Sequence, residues 1–136
     1  MMKNFVFYHA NCCDGFASAF AAFTRLGKSD TAYIPVSYGD VDTFQDLLHL
    51  AGNKVYEYST VYVLDFSFPR NVMDALFSHG CNVVWLDHHK TAFEMYGTES
   101  EYLESVEGQK STDHVRLNNR ESGSTLSWHY FNPGTL

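Results

Sequence analysis

Short apolar runs alternate with amphipathic stretches along most of this chain. Phe5-Val-Phe-Tyr8, Thr31 to Ser37, Val61-Tyr-Val-Leu64 and Asn82 to Leu86 each read as a strand. The fully apolar runs suit strands buried on both faces. Helical patterns lie between them. In Phe16-Ala-Ser-Ala-Phe-Ala-Ala-Phe-Thr-Arg-Leu-Gly27 the phenylalanines at 16, 20 and 23 share one helical face, and Gly27 suits a C-cap. Asp42 is placed to cap a helix from Thr43 to Ala51, with Phe44, Leu47, Leu48 and Ala51 inward and Gly52 at its end. A third helix is predicted from Pro69 to His79, with the proline in its first turn and Gly80 beyond its last.

After Leu86 the pattern weakens. Thr91 to Tyr96 predicts a short helix, Tyr102 to Leu117 fits either a hairpin or an irregular loop, and Ser122 to Phe131 predicts a last helix. Strands separated by helices and joined by right-handed crossovers give an α/β fold: three layers, a mostly parallel sheet, helices on both faces, Rossmann-like. At 136 residues the expectation is a single domain over residues 1–136.

Composition narrows the function classes. Hydrophobic residues make up 45% and charged residues 18%, which excludes a disordered tail. A formal net charge of -7 excludes a broad basic surface for long polyanions, so a phosphate ligand has to be met locally, by a metal or a few donors. Ordinary solubility accounts for the acidic excess more simply than carboxylates gathered for cations do. Cys12, Cys13 and Cys81 form no CxxC pair, and adjacent Cys12 and Cys13 make a strained disulfide, so reduced thiols and a cytoplasmic setting are expected. No apolar stretch approaches the roughly 20 residues that span a bilayer, so no membrane partner is expected.

The candidate chemistry collects at strand ends. The first strand runs into His9, Asn11, Cys12 and Asp14; the third runs into Asp65; the fourth runs into Asp87, His88 and His89. In a parallel sheet all carboxyl ends lie on one edge, where open α/β folds bind ligands. Singly, Asp14 reads equally as a helix cap and Asp65 as a turn residue. Consecutive histidines after a buried strand have little structural work to do, and three clusters at one edge argue for a site. Carboxylates with imidazoles, without a thiolate cage, suit Mn²⁺ or Mg²⁺. Two such ions sharing a carboxylate bind phosphate oxygens and activate water, and a spare histidine can contact the phosphate or protonate the leaving oxygen. The implied reaction is metal-assisted phosphoryl transfer to water.

These residues also resemble a known family. Leu86-Asp-His-His-Lys90 resembles the signature of the DHH superfamily of phosphoesterases; His9-Ala-Asn-Cys-Cys-Asp-Gly15, followed by Ser18-Ala19, resembles its first motif, and Val63-Leu-Asp65 its second. Ser122-Gly-Ser-Thr-Leu-Ser-Trp128 is similar to the helix after the third motif, so the likeness runs from about residue 5 to 131. The resemblance implies two Mn²⁺ ions, with His9, Asp14 and His88 as ligands and Asp65 bridging. It implies Asp87 at the metals or supporting their ligands, and His89 facing the substrate phosphate. Cys12 stands where the family carries another carboxylate; as a ligand it is softer and implies a shift toward Zn²⁺ or Fe²⁺, or one weak site. The family's further downstream Asp ligand and its second, substrate-binding domain are both absent from the chain up to Leu136.

The resulting expectation is a phosphohydrolase acting on a phosphodiester or phosphoanhydride bond. Its substrate would be a small phosphate compound: a nucleotide, a cyclic dinucleotide or a short oligonucleotide, the last making it a nuclease. The alternative is a non-catalytic nucleotide-binding or interaction module that keeps the fold. A cysteine-nucleophile phosphatase is disfavoured, since Asp14 to Phe23 holds no Lys or Arg. Self-association as a homo-oligomer is one way to cover apolar surface in so aromatic a chain.

Overall fold

A computed structural model describes residues 3–52, 60–79, 82–96, 115–118 and 120–134. The described strands are β1 (Asn4–His9), β2 (Thr31–Val36), β3 (Thr60–Leu64), β4 (Asn82–Asp87) and β5 (Val115–Leu117). The described helices are α1 (Cys13–Leu26), α2 (Phe44–Ala51), α3 (Arg70–Ser78), α4 (Lys90–Tyr96) and a last helix, α5 (Gly123–Phe131). All strand pairs are parallel, in the order β2-β1-β3-β4-β5. The chain steps outward from β1 to β2, then crosses back to β3 on the other side of β1. That reversal opens a crevice between the ends of β1 and β3, the place where such sheets bind ligands.

Side chains alternate across the sheet because a strand repeats every two residues. Phe5, Phe7, Val61, Val63, Val83 and Trp85 enter one core with Leu47, Val72, Met73 and Leu76 of α2 and α3. Val6, Leu64, Val84 and Leu86 enter the other with Ala21, Ala22, Leu126 and Phe131 of α1 and α5. The sheet is therefore covered on both faces, as the three-layer expectation requires. No described helix is long and apolar enough to cross a membrane.

The face that Phe16, Phe20 and Phe23 share on α1 is its outer one: they are 69%, 56% and 46% exposed, whereas Gly15, Ser18, Ala19, Ala21 and Ala22 turn inward. Small residues win the inner face because α1 lies close against α5 and β1; a Cβ on Gly15 would stand 2.1 Å from the His9 carbonyl oxygen. The cap of α2 is Thr43, not Asp42: its hydroxyl accepts from the Asp46 N–H while Asp46 reaches back to the Thr43 N–H, a reciprocal capping box. Val115 to Leu117, at the end of the stretch read as a hairpin or an irregular loop, forms a strand parallel to β4, at the edge of the sheet among the described residues. The rest of the ambiguous stretch from Tyr102, with Asp113 and His114, lies outside the described residues, as do Gly80 and Cys81.

Candidate metal centre

Three strand ends bring the candidate residues to one point. β3 delivers Asp65, fully buried, with φ of 64° in the left-handed region that few non-glycine residues adopt. Its N–H still bonds the Leu86 carbonyl at 2.9 Å, so the sheet ladder holds the residue while the chain turns sharply after it. The turn sends Phe66 and Phe68 into the core and leaves the carboxylate at the sheet edge. Backbone strain of this kind persists where the surroundings over-determine it, and it concentrates at functional sites.

Around that carboxylate stand side chains from the other two strand ends. His88 Nε2 lies 2.9 Å from Asp65 Oδ1 and 3.2 Å from Asp14 Oδ2, between the two carboxylates. His9 Nδ1 lies 3.6 Å from Asp65 Oδ2, and Cys12 Sγ lies 3.7 Å from the same oxygen. Asn11, with φ of 53°, makes the tight turn between β1 and α1 that places Cys12 and Asp14.

Asp14 is fixed by the far end of the chain. It accepts from the Gly123 and Ser124 N–H groups at 2.8 Å each, so its carboxylate sits on the N-terminus of α5. Ser122 caps the same helix by accepting from the Thr125 N–H. Burial works against ionising Asp14, but the bonds from Ser124, Asp65 and Gly123 outweigh it and hold its carboxyl at about 2. Burial, reinforced by the adjoining Asp14, pushes Asp65 up to about 7. Of the two adjoining carboxyls, the buried Asp65 is thus the one that favours its proton, while the half-buried Asp14 favours its charge.

Asp87 has a different environment. Its Oδ1 accepts from the His88 N–H at 2.8 Å, the His89 N–H at 3.1 Å and His89 Nδ1 at 2.7 Å. Its Oδ2 accepts from the Ser67 hydroxyl at 2.6 Å, and that hydroxyl in turn accepts from the Trp85 indole N–H at 2.9 Å. Four protein donors therefore hold this buried carboxylate, and through it the backbone and ring of the His-His pair. The hydrogen bond to Asp87 raises the pKa of His89, while burial first, then the neighbouring His89, lowers that of His9. With Nδ1 on Asp87, His89 has Nε2 left for a ligand.

The donor set fits a divalent cation on two grounds. First, His9 Nδ1 is a buried nitrogen with no hydrogen-bond partner, an unpaired group that would otherwise be costly, and a cation near Asp65 would satisfy it. Second, one ligand atom each from His9, Cys12 and Asp65, and one each from Asp65, Asp87, His88 and His89, fall within 4.8 Å of one another. Asp65 belongs to both groups, as a bridging carboxylate would. All the residues expected at the metals from sequence — His9, Cys12, Asp14, Asp65, Asp87 and His88 — lie at this edge, together with His89.

Other participants carried weak sequence signals. Gly123 is forced: a Cβ there would stand 2.0 Å from Asp65 Oδ1. Ser67 is one hydroxyl in the otherwise apolar run Phe66-Ser-Phe-Pro69, which is its only mark in the sequence. Tyr38, after β2, sets its ring 5.3 Å from His9 and 6.3 Å from His89 and walls the site on one side. Lys90 is exposed and pairs with Glu94, while Arg116 lies over the Tyr130 ring.

No family model matches the chain. An uncharacterized protein of Acanthamoeba polyphaga mimivirus is 30% identical over 138 residues, which span 94% of this chain and 29% of that protein. A crystal structure of an uncharacterized protein from Helicobacter pylori superposes with a TM-score of 0.69 at 14% identity, over 98% of this chain and 36% of the other. That likeness shows the fold alone. The chain spans under a third of the curated relative it matches and little more than a third of the solved one.

Proposed function

We propose that this chain forms the catalytic core of a metal-dependent phosphoesterase of the DHH type, hydrolysing a phosphodiester or phosphoanhydride bond of a small phosphate compound. The observation that carries the reading is the buried Asp65 carboxylate, met by His88 on one oxygen and by His9 and Cys12 on the other, with Asp14 in contact. The ion pairs of this cluster are made by histidines, His9 and His88 on Asp65 and His88 on Asp14, and imidazoles gathered on paired carboxylates are the arrangement expected of a cation site.

His9, Cys12, Asp14, Asp65 and His88 would hold the ions, with Mn²⁺ the first candidate and Mg²⁺, Zn²⁺ or Fe²⁺ the alternatives. Two bound cations would supply Lewis-acid polarisation of phosphate oxygens and lower the pKa of water. Everything else falls to the chain itself. Asp87 fixes the His89 tautomer by accepting from Nδ1, so that Nε2 can donate to a phosphate oxygen or to the departing oxygen. Ser67 and Trp85 keep Asp87 from rotating. Asp14 is held in place by the Gly123 and Ser124 N–H groups at the start of α5.

The test is hydrolysis of bis(4-nitrophenyl) phosphate and a dinucleotide with and without Mn²⁺, alongside metal content. Mn²⁺-dependent turnover that disappears in Asp65→Ala supports the reading. Bound metal without turnover on any phosphate ester would point to a core that awaits a further ligand or partner, and neither metal nor turnover would favour the non-catalytic nucleotide-binding or interaction module.

A further inference from the structure

Beside the metal centre lies a cavity of about 360 Å³, roofed by the loop after β2, floored by the turn after β3 and closed on one side by α4. Tyr38 is the wall common to both, since it lines the cavity and its ring also stands against His9 and His89. The volume is near the lower end of small-ligand sites, which run from roughly 300 to 1,000 Å³. It accommodates one flat ring system beside a phosphate held at the metals.

The lining decides the chemistry of the occupant. Val41, Phe66 and Phe68 are buried and apolar, and the two phenylalanines are locked edge to face at 4.9 Å. The carboxylates in the wall are Asp42 and Glu94, and no Lys, Arg or His is among the described lining residues. The nearest cations in sequence, Arg70 and Lys90, pair with Asp74 and Glu94, and neither lines the cavity. Such a wall repels a second phosphate. It favours an aromatic group that stacks on Tyr38 and offers N–H donors to a carboxylate. The rim is held in shape as well: the Ser37 N–H donates to Asp40 Oδ2 at 2.8 Å, closing the turn that carries Tyr38.

We infer that this cavity receives the nucleobase of the substrate, with Tyr38 as the stacking surface and Asp42 accepting from an exocyclic amine. The inference rests on the phosphoesterase reading for the identity of the other half of the substrate, and it narrows that reading. Inorganic pyrophosphate becomes a poor substrate, and nucleotide esters whose base carries an amine become good ones.

Calorimetric titration of the metal-free chain with adenosine, cytidine, uridine and pyrophosphate tests the cavity without any turnover. Adenosine and cytidine should bind, uridine more weakly, and pyrophosphate not at all. Asp42→Lys, an exposed position, should weaken adenosine by at least about tenfold, the size expected for one charge-assisted hydrogen bond. Tyr38→Ala should weaken it as well, while Asp65→Asn should leave it intact. Absence of nucleoside binding, or binding that survives both cavity variants unchanged, overturns the inference. Turnover of bis(4-nitrophenyl) phosphate separates the two claims. Nucleoside binding with no turnover defeats the phosphoesterase reading and keeps the cavity; turnover with pyrophosphate cleaved as fast as a dinucleotide defeats the cavity assignment and keeps the phosphoesterase.

Discussion

Asp65 is buried, stands at a positive φ, and has a histidine nitrogen against each of its oxygens. A purely structural aspartate seldom accumulates such costs. Asp65→Ala is expected to remove both bound metal and metal-dependent hydrolysis while the far-ultraviolet circular dichroism is kept; retained hydrolysis would sink the bridging assignment. His89 separates from it by function. His89→Ala should lower turnover on the order of a hundredfold or more, the usual contribution of a placed acid or base, with metal content by mass spectrometry little changed. An equal loss of metal would make His89 a ligand instead. Asp87→Asn turns one oxygen into a donor facing the donors now on the carboxylate, so activity or metal affinity should fall by about 10- to 100-fold. Most of these residues were legible in the sequence because each follows an apolar run directly. Ser67 was not, since its partners Asp87 and Trp85 meet it only once β3 and β4 lie side by side.

At the level of elements, the first four strands and the α1, α2, α3 and α5 helices follow from hydrophobic period, capping residues and glycine stops. Two features do not. The direction in which α1 faces depends on how closely it must approach β1 and α5, and small residues carry no hydrophobic signal strong enough to compete with three phenylalanines. The strand β5 is three residues long, too short for a period to show, and acquires its identity only by pairing with β4. The close approach is itself testable. Gly123→Ala places a methyl group against Asp65 Oδ1, so α5 must shift; a loss of roughly 1–3 kcal/mol in urea unfolding is expected, with reduced metal affinity. Unchanged stability and affinity would mean that α5 does not seat on the site as described.

On the scale of the whole molecule, the proton favoured by Asp65 ties stability to pH. Asp65, up at about 7 from the ordinary carboxyl range, prefers its neutral form in the folded state, so its contribution is full at acid pH and is lost as pH rises through about 7. Asp14, down at about 2, contributes above the ordinary carboxyl range and loses that contribution only as pH falls toward 2. Chelator-treated protein should therefore melt at a lower temperature at about pH 8 than at about pH 5, and Mn²⁺ should reverse the loss at the higher pH. Asp65→Asn should flatten the dependence; a melting temperature in the wild type that does not respond to pH over this interval would contradict a proton held on Asp65.

The bond from Gly123 to Asp14 spans 109 positions of chain, and this has a consequence for synthesis. A nascent polypeptide that has emerged through Asn118 already carries every candidate ligand, from His9 to His89, together with all five described strands. It still lacks the two amide groups that orient Asp14. Translation order therefore withholds the oriented Asp14 carboxylate until the last helix has emerged and docked.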